Sequence, residues 1–294
     1  MQGLRIECKS GIFFILFLLV VIFLVISLTA WAYDWQKLNG DHFFIYYIRN
    51  KNSAKDILGA AEVYYKRIAK DLGYPRYSEF WLWDERAKIY IYPDRQSFLK
   101  ATGQPKWSEG MADYQKREIV SYAWSEGFIE SLLPHEIAHL IFRDFVGFSG
   151  EIPLWLDEGV AQWAETEKRS YMKELAKESY RQSKMLLVED LMKLDINRLK
   201  DINKVYIRPT LTRKGSPGIL FLTPDSLVNA YYLAAVSLIG FLIERYGSQR
   251  FAEFCRSLRD GKSVEVGLRF AYPGRVKNLQ DLELKWREYL EEQM

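Results

Sequence analysis

Between Lys9 and Asp34 the chain carries no charged residue, and Ile12 to Leu28 is apolar throughout except for Ser27. A run of about 20 apolar residues crosses a hydrocarbon layer as a helix, because only a helix satisfies its own backbone groups where water is absent. Arg5 and Lys9 precede the run. The bias of cations toward the cytoplasmic side then keeps the N-terminus inside and places everything after Asp34 outside. A cleaved signal peptide is the alternative: Ala30-Trp31-Ala32 has the small-x-small form of a cleavage site, and cutting after Ala32 releases a soluble protein. The run is longer than the roughly 7–15 residues of a signal's apolar core. The expectation is therefore a cytoplasmic stub and single-pass transmembrane anchor over 1–34, followed by an extracytoplasmic domain over 35–294.

That domain has the material for a large core. The chain is 49% hydrophobic, with 9 Trp, 19 Tyr and 17 Phe, which excludes global disorder. Forty-one basic residues against 38 acidic ones leave a net charge of +3, so no nucleic-acid partner is expected. Two cysteines exclude a disulfide scaffold, and Cys8 and Cys255 lie on opposite sides of the apolar run. Strand patterns at 43–48, 87–92, 111–114 and 119–124 alternate with a helix over 54–72 and a short one from 93 through Phe98. From residue 131 the pattern is helical: 131–145, 153–168, 170–185, 187–194, 227–246, 248–259 and 278–292. The stretch 197–226, with Pro209, Gly215, Pro217, Gly218 and Pro224, reads as a long loop. The fold class is α+β, with an α/β lobe over 35–148 carrying a small mixed sheet and a helical lobe over 149–294; the change falls near Gly147-Phe148-Ser149-Gly150. Aromatic residues at 77–83 (Tyr77, Phe80, Trp81, Trp83) read first as core, and second as a cleft lining or a membrane-facing patch.

Only three histidines occur, and two fall in His135-Glu136-Ile137-Ala138-His139. Ser131 supplies an N-cap and Pro134 a first-turn proline for the helix that carries them. Histidines four apart on a helix lie on one face, so both imidazoles can bind one zinc ion. Glu136, beside the first ligand, is placed to take a proton from water on that ion. The competing reading is a pair of buried, hydrogen-bonded histidines. A catalytic zinc needs a third protein ligand. The His-Glu-x-x-His-x-x-Gly-x-x-His pattern is excluded, because positions 142 and 145 are phenylalanine. The better source is Leu154-Trp155-Leu156-Asp157-Glu158-Gly159-Val160-Ala161, where Glu158 follows His139 after 18 residues. A glycine at 159 spares the neighbouring zinc helix a side chain, and Gln162 or Glu165 is placed to orient a histidine through its second nitrogen. His42 has no partner in sequence and reads as structural.

His-Glu-x-x-His followed after that gap by Trp-Leu-x-Glu-Gly-x-Ala resembles the gluzincin zinc metallopeptidases, and within them the bacterial peptidase MA-like group. The likeness covers most of 40–292 and is specific at 135–163. It implies a thermolysin-like catalytic domain with His135, His139 and Glu158 as ligands of one zinc ion and Glu136 as general base. Thermolysin-like members place an aspartate four residues after the ligand glutamate, where this chain has Gln162. Glu109-Gly110-Met111-Ala112 leading into Ile119-Val120-Ser121-Tyr122 resembles the cleft-edge strand that pairs with an extended peptide, although a plain sheet edge reads the same way. The resemblance also implies an oxyanion-stabilising tyrosine fourteen residues before the pair Tyr246-Gly247, which is Tyr232 here, with Tyr231 beside it left open.

The implied activity is zinc-dependent hydrolysis of a peptide or protein substrate outside the cytoplasm. The alternative is an inactive peptide- or metal-binding module on the same scaffold, which has no use for Glu136. A membrane-tethered structural protein with a fortuitous motif is a third reading. An intramembrane protease is excluded, because Arg143, Asp144 and Glu151 crowd the motif and only one span exists. Cys255 has no histidine near it in sequence to serve as its base.

Overall fold

The apolar run Phe43-Phe44-Ile45-Tyr46-Tyr47 and the alternating Ala87-Lys88-Ile89-Tyr90-Ile91-Tyr92 form two neighbouring strands of one sheet. The computed structural model describes residues 33–74, 81–106, 108–123, 127–147, 152–199 and 204–293. The apolar N-terminal run, and the anchor, cleavage and orientation expected of it, lie outside the described residues, as do Tyr77, Phe80, Trp124 and 148–150. Strands β1 (Gln36–Asn39), β2 (Phe43–Tyr47), β3 (Ala87–Tyr92), β4 (Gly110–Asp113) and β5 (Glu118–Tyr122) form a sheet of order β1-β2-β3-β5-β4. β2, β3 and β5 run parallel, and β4 is antiparallel to β5 at the sheet's edge. Phe43, Ile45, Ala87, Ile89 and Ile119 are fully buried, the result of period-two patterning against a covering layer. That layer includes α1 (Lys51–Asp71), whose Asn50 accepts the Ser53 N–H from a left-handed conformation and starts the helix three residues before the expected 54. Asp94 caps α2 (Arg95–Thr102) from extended backbone, accepting the Ser97 N–H.

Beyond the sheet the chain is mostly helical, as expected: α3 (Leu133–Val146), α4 (Leu154–Ala164), α5 (Thr166–Arg181), α6 (Val188–Lys193), α7 (Pro224–Tyr246), α8 (Ser248–Arg259), α9 (Val264–Ala271) and α10 (Leu279–Glu292). The structure is thus mixed α+β, a small sheet with predominant helix. α9 and β1 have no counterpart in the sequence reading. The expected loop over 197–226 also needs correction, because it contains a hairpin of β6 (Tyr206–Leu211) and β7 (Pro217–Leu222). Its turn is closed by Thr212 N–H on Ser216 O and Gly215 N–H on Thr212 O, with Gly215 at φ 81. The prolines that suggested a loop are tolerated because both strands of a two-stranded sheet are edge strands.

A further correction concerns the start of α3. Ser131 does not cap it; a π-helical turn over Phe128–Leu132 runs straight into the helix, and the Ser131 hydroxyl is used elsewhere. α7 is long and apolar enough to cross a membrane by length and composition, but Leu227, Tyr231, Ala234, Ala235, Leu238, Ile239, Phe241 and Leu242 are buried in protein. It is the central core helix, and one core runs through Lys37–Met294 from β2 to α10. His42 is structural, stacked on Tyr65 at 4.1 Å with its Nδ1 2.6 Å from Glu62. Trp81 is core and donates its indole N–H to Asp144, whereas Trp83 is exposed.

Candidate metal centre

α3 presents a narrow polar stripe on an otherwise buried helix. Leu133, Ile137, Ala138, Leu140, Ile141 and Phe142 all point into the core, which fixes the rotation of the helix and brings His135 and His139 onto one face. The two Nε2 atoms lie 3.2 Å apart. α4 packs beside α3 and contributes Glu158, whose Oε2 is 3.8 Å from His135 Nε2 and 3.9 Å from His139 Nε2. The structure therefore brings together all three residues expected as ligands.

The other ring nitrogens decide what the Nε2 atoms can do. His135 Nδ1 is 2.9 Å from Glu165 Oε1, and His139 Nδ1 is 3.0 Å from Asp157 Oδ1. Each carboxylate requires a donor, so each Nδ1 carries a proton, and a ring in its neutral form then presents a lone pair at Nε2, the form a metal ligand needs. Two Nε2 lone pairs at 3.2 Å repel, so this spacing calls for positive charge between them, either a proton on one ring or a metal ion. Sides of 3.2, 3.8 and 3.9 Å place the point equidistant from the three atoms about 2.1 Å from each, within the zinc–nitrogen and zinc–oxygen range of about 2.0–2.2 Å. Tetrahedral coordination at such bond lengths spaces ligands by about 3.3 Å, so the histidines already fit and Glu158 needs to close by about half an ångström. The donor set fits zinc in type and in spacing.

The supporting carboxylates are tightly held. Burial works to raise the Asp157 carboxyl, but His139 and Arg143 hold it below the usual range; Arg143 Nη2 donates to its Oδ2 at 2.7 Å. Burial likewise works to raise Glu165, and the His135 bond and charge, with Lys168 and Ser131, hold it at about 2. Ser131 Oγ donates to Glu165 Oε2 at 2.5 Å, and Lys168 Nζ lies 2.7 Å from the same oxygen. For His139, burial works against charging, yet Asp157, Glu158 and Glu136 together push it up to about 9. These acids stabilise positive charge at this spot, as a cation site requires.

Glu136 is different. It lies on the same stripe, buried as a residue, and no hydrogen bond or ion pair engages its carboxylate among the described residues. A carboxylate left free beside two committed ones has the freedom a proton carrier needs.

Of the two second-nitrogen partners expected from sequence, Glu165 is found on His135, and no contact of Gln162 with either ring occurs among the described residues. Asp157 was missed. Its signal was its place one residue before Glu158, which points it back toward α3 while Glu158 faces both rings. The role expected of Gly159 is corrected. An added Cβ meets Ile239 Cγ1 at 2.8 Å and the Ala235 carbonyl oxygen at 3.0 Å, so the glycine admits α7, not the zinc helix. α7 carries both tyrosines. Burial raises Tyr232 to about 12, with Glu158 contributing; the same causes raise Tyr231, whose hydroxyl is buried and unpartnered. The charge of Glu158 thus reaches both hydroxyls. β4 ends next to the cluster: the ring of Tyr114, the residue after it, meets His139 edge-on at 5.9 Å and lies 3.8 Å under the Arg143 guanidinium.

No family model and no curated protein sequence matches the chain.

Proposed function

We propose that this chain is a zinc-dependent peptidase with a gluzincin-like, thermolysin-like catalytic domain, tethered outside the cytoplasm by a single N-terminal helix. The reading rests on one observation above all: two histidine lone pairs, each fixed by a carboxylate on the far nitrogen, converge with Glu158 at ligand spacing beside an unengaged Glu136. His135, His139 and Glu158 hold the metal, and three protein ligands leave a coordination position open. Zinc bound there supplies Lewis acidity, polarising a carbonyl and acidifying water.

The chain's own groups do the rest. Glu136 accepts the proton of the attacking water and returns it to the departing amine, so no covalent acyl-enzyme forms. Tyr232, or Tyr231 behind it, donates a hydrogen bond to the oxygen on which charge develops. An extended substrate pairs along the free edge of β4, which ends at the ligand cluster. Asp157 and Glu165 hold the rings and their tautomers.

The test is turnover of a quenched-fluorescent peptide library by wild type and Glu136→Gln, each at measured zinc content. Equal zinc with turnover lowered about 10²–10⁴-fold is expected. Turnover that survives the substitution removes the proposed role, and zinc without turnover in the wild type leaves the inactive binding module instead.

A further inference from the structure

The β6–β7 hairpin exposes one wholly apolar face. Register pairs Ile207 with Phe221 and Pro209 with Ile219, and alternation sends these four side chains to the same side. Val205 extends the row. Exposures are 57% for Val205, 61% for Ile207, 64% for Ile219 and 70% for Phe221. The opposite face is anchored: Leu220 and Thr210 are buried, and Thr210 Oγ1 donates to Met185 O at 2.7 Å. The hairpin is thus held to the domain by one side and presents the other with no partner among the described residues. Single exposed apolar residues need no explanation, but a contiguous row of them marks an interaction surface.

We infer that this face docks on the lipid surface of the bilayer that carries the anchor. Two features select that occupant. Residues 204–222 hold no acid, and Lys204 and Lys214 flank the apolar face with no ion pair among the described residues, whereas Arg208 lies on the opposite face near Asp190 and Arg213 is held by Glu291; the two lysines suit anionic headgroups around an inserted apolar face. The apolar N-terminal run ends at Tyr33, and the compact unit begins at Lys37, so the tether keeps the domain within a few residues of the membrane. This inference rests on the anchored reading of that run. Docking would hold the domain against the surface and limit its substrates to chains lying near the membrane.

The test uses the full chain in nanodiscs of phosphatidylcholine and phosphatidylglycerol, loaded so that discs hold at most one copy. Cys8→Ser removes one thiol and Cys255 is fully buried, so an environment-sensitive fluorophore can be placed at Ile219→Cys or, as control, at the equally exposed Val63→Cys on α1. Lipids with a quenching nitroxide near the headgroup end of the acyl chain should quench the label at 219 several-fold more strongly than the label at 63. Co-purification with discs but equal quenching at both positions overturns the docking and leaves the anchor standing. In a second set of discs loaded with two copies, a change in the emission of the label at 219 that single-copy discs do not show assigns the face to a second chain and overturns it as well. A chain that does not co-purify with discs removes the anchor, and the inference with it.

Discussion

Asp157→Asn tests the support beneath the ligands. The Asp157 side chain is 4% exposed and is shared between His139 Nδ1 and Arg143 Nη2. An amide keeps the shape but offers one acceptor where the carboxylate offered two. If its oxygen faces His139, its NH2 faces the Arg143 guanidinium, donor against donor. If it turns round, Nδ1 of His139 must give up its proton to the ring's other side, and Nε2 can no longer be a ligand. Breaking a buried pair costs about 3–5 kcal/mol. Because Arg143 is about one-third exposed and the first amide orientation retains one hydrogen bond, about 2–3 kcal/mol is the expected loss in metal-free protein. At about 2–4 °C per kcal/mol for a domain of this size, Tm falls by about 5–10 °C. Zinc affinity falls by about 10–100-fold, the usual effect of losing a ligand's orienting partner. Urea unfolding in metal-free buffer and competition against a chromophoric chelator measure the two separately. A variant that binds zinc within about threefold of wild type refutes the orienting role, whatever happens to its stability.

Gly159→Ala forces a Cβ to within 3.0 Å of the Ala235 backbone oxygen, so α4 and α7 must part; a loss of about 1–3 kcal/mol in urea unfolding is expected, and an unchanged midpoint contradicts the packing. Burial works to raise Glu62, but the His42 bonds and charge, with Lys66, hold its folded-state pKa below 4.5. Its stabilisation is therefore complete above the unfolded value and fades as pH falls through the folded one, so Glu62→Gln should lower Tm at pH 7 and converge on wild type in acid. A Tm difference independent of pH opposes this. Tyr232→Phe and Tyr231→Phe, compared at equal zinc content, identify the oxyanion donor: the one that matters loses about 10²–10³ in kcat with its zinc affinity unchanged, and full activity of both variants removes a tyrosine from the mechanism.

What the sequence made legible follows from how local each signal was. His135, Glu136 and His139 are read from one helical turn, and Glu158 from a short motif at a set distance, so all four are found where the residues imply. The strand at 87–92 is read from two-residue alternation, and that at 43–47 from a short run of aromatic and β-branched residues. Asp157 escaped because its function depends on the angle at which α4 docks on α3, which no single helix encodes. For the same reason Gly159 was assigned to the wrong neighbour: its glycine signalled a close approach without saying whose. Ser131 has the chemistry of a cap, yet a π-helical turn ahead of α3 leaves no cap to make and frees the hydroxyl for Glu165. The hairpin hid behind Pro209, Pro217 and Gly218, which break central strands but not the edges of a two-stranded sheet.

X-ray absorption at the zinc edge of the stoichiometrically loaded protein tests the ligand set most directly. Two imidazoles and light oxygen or nitrogen donors at about 2.0–2.2 Å are expected, and with three histidines in the chain two of them can be assigned by removing His42. A sulfur neighbour near 2.3 Å, a single imidazole, or a protein that will not retain one zinc contradicts the site built from His135, His139 and Glu158.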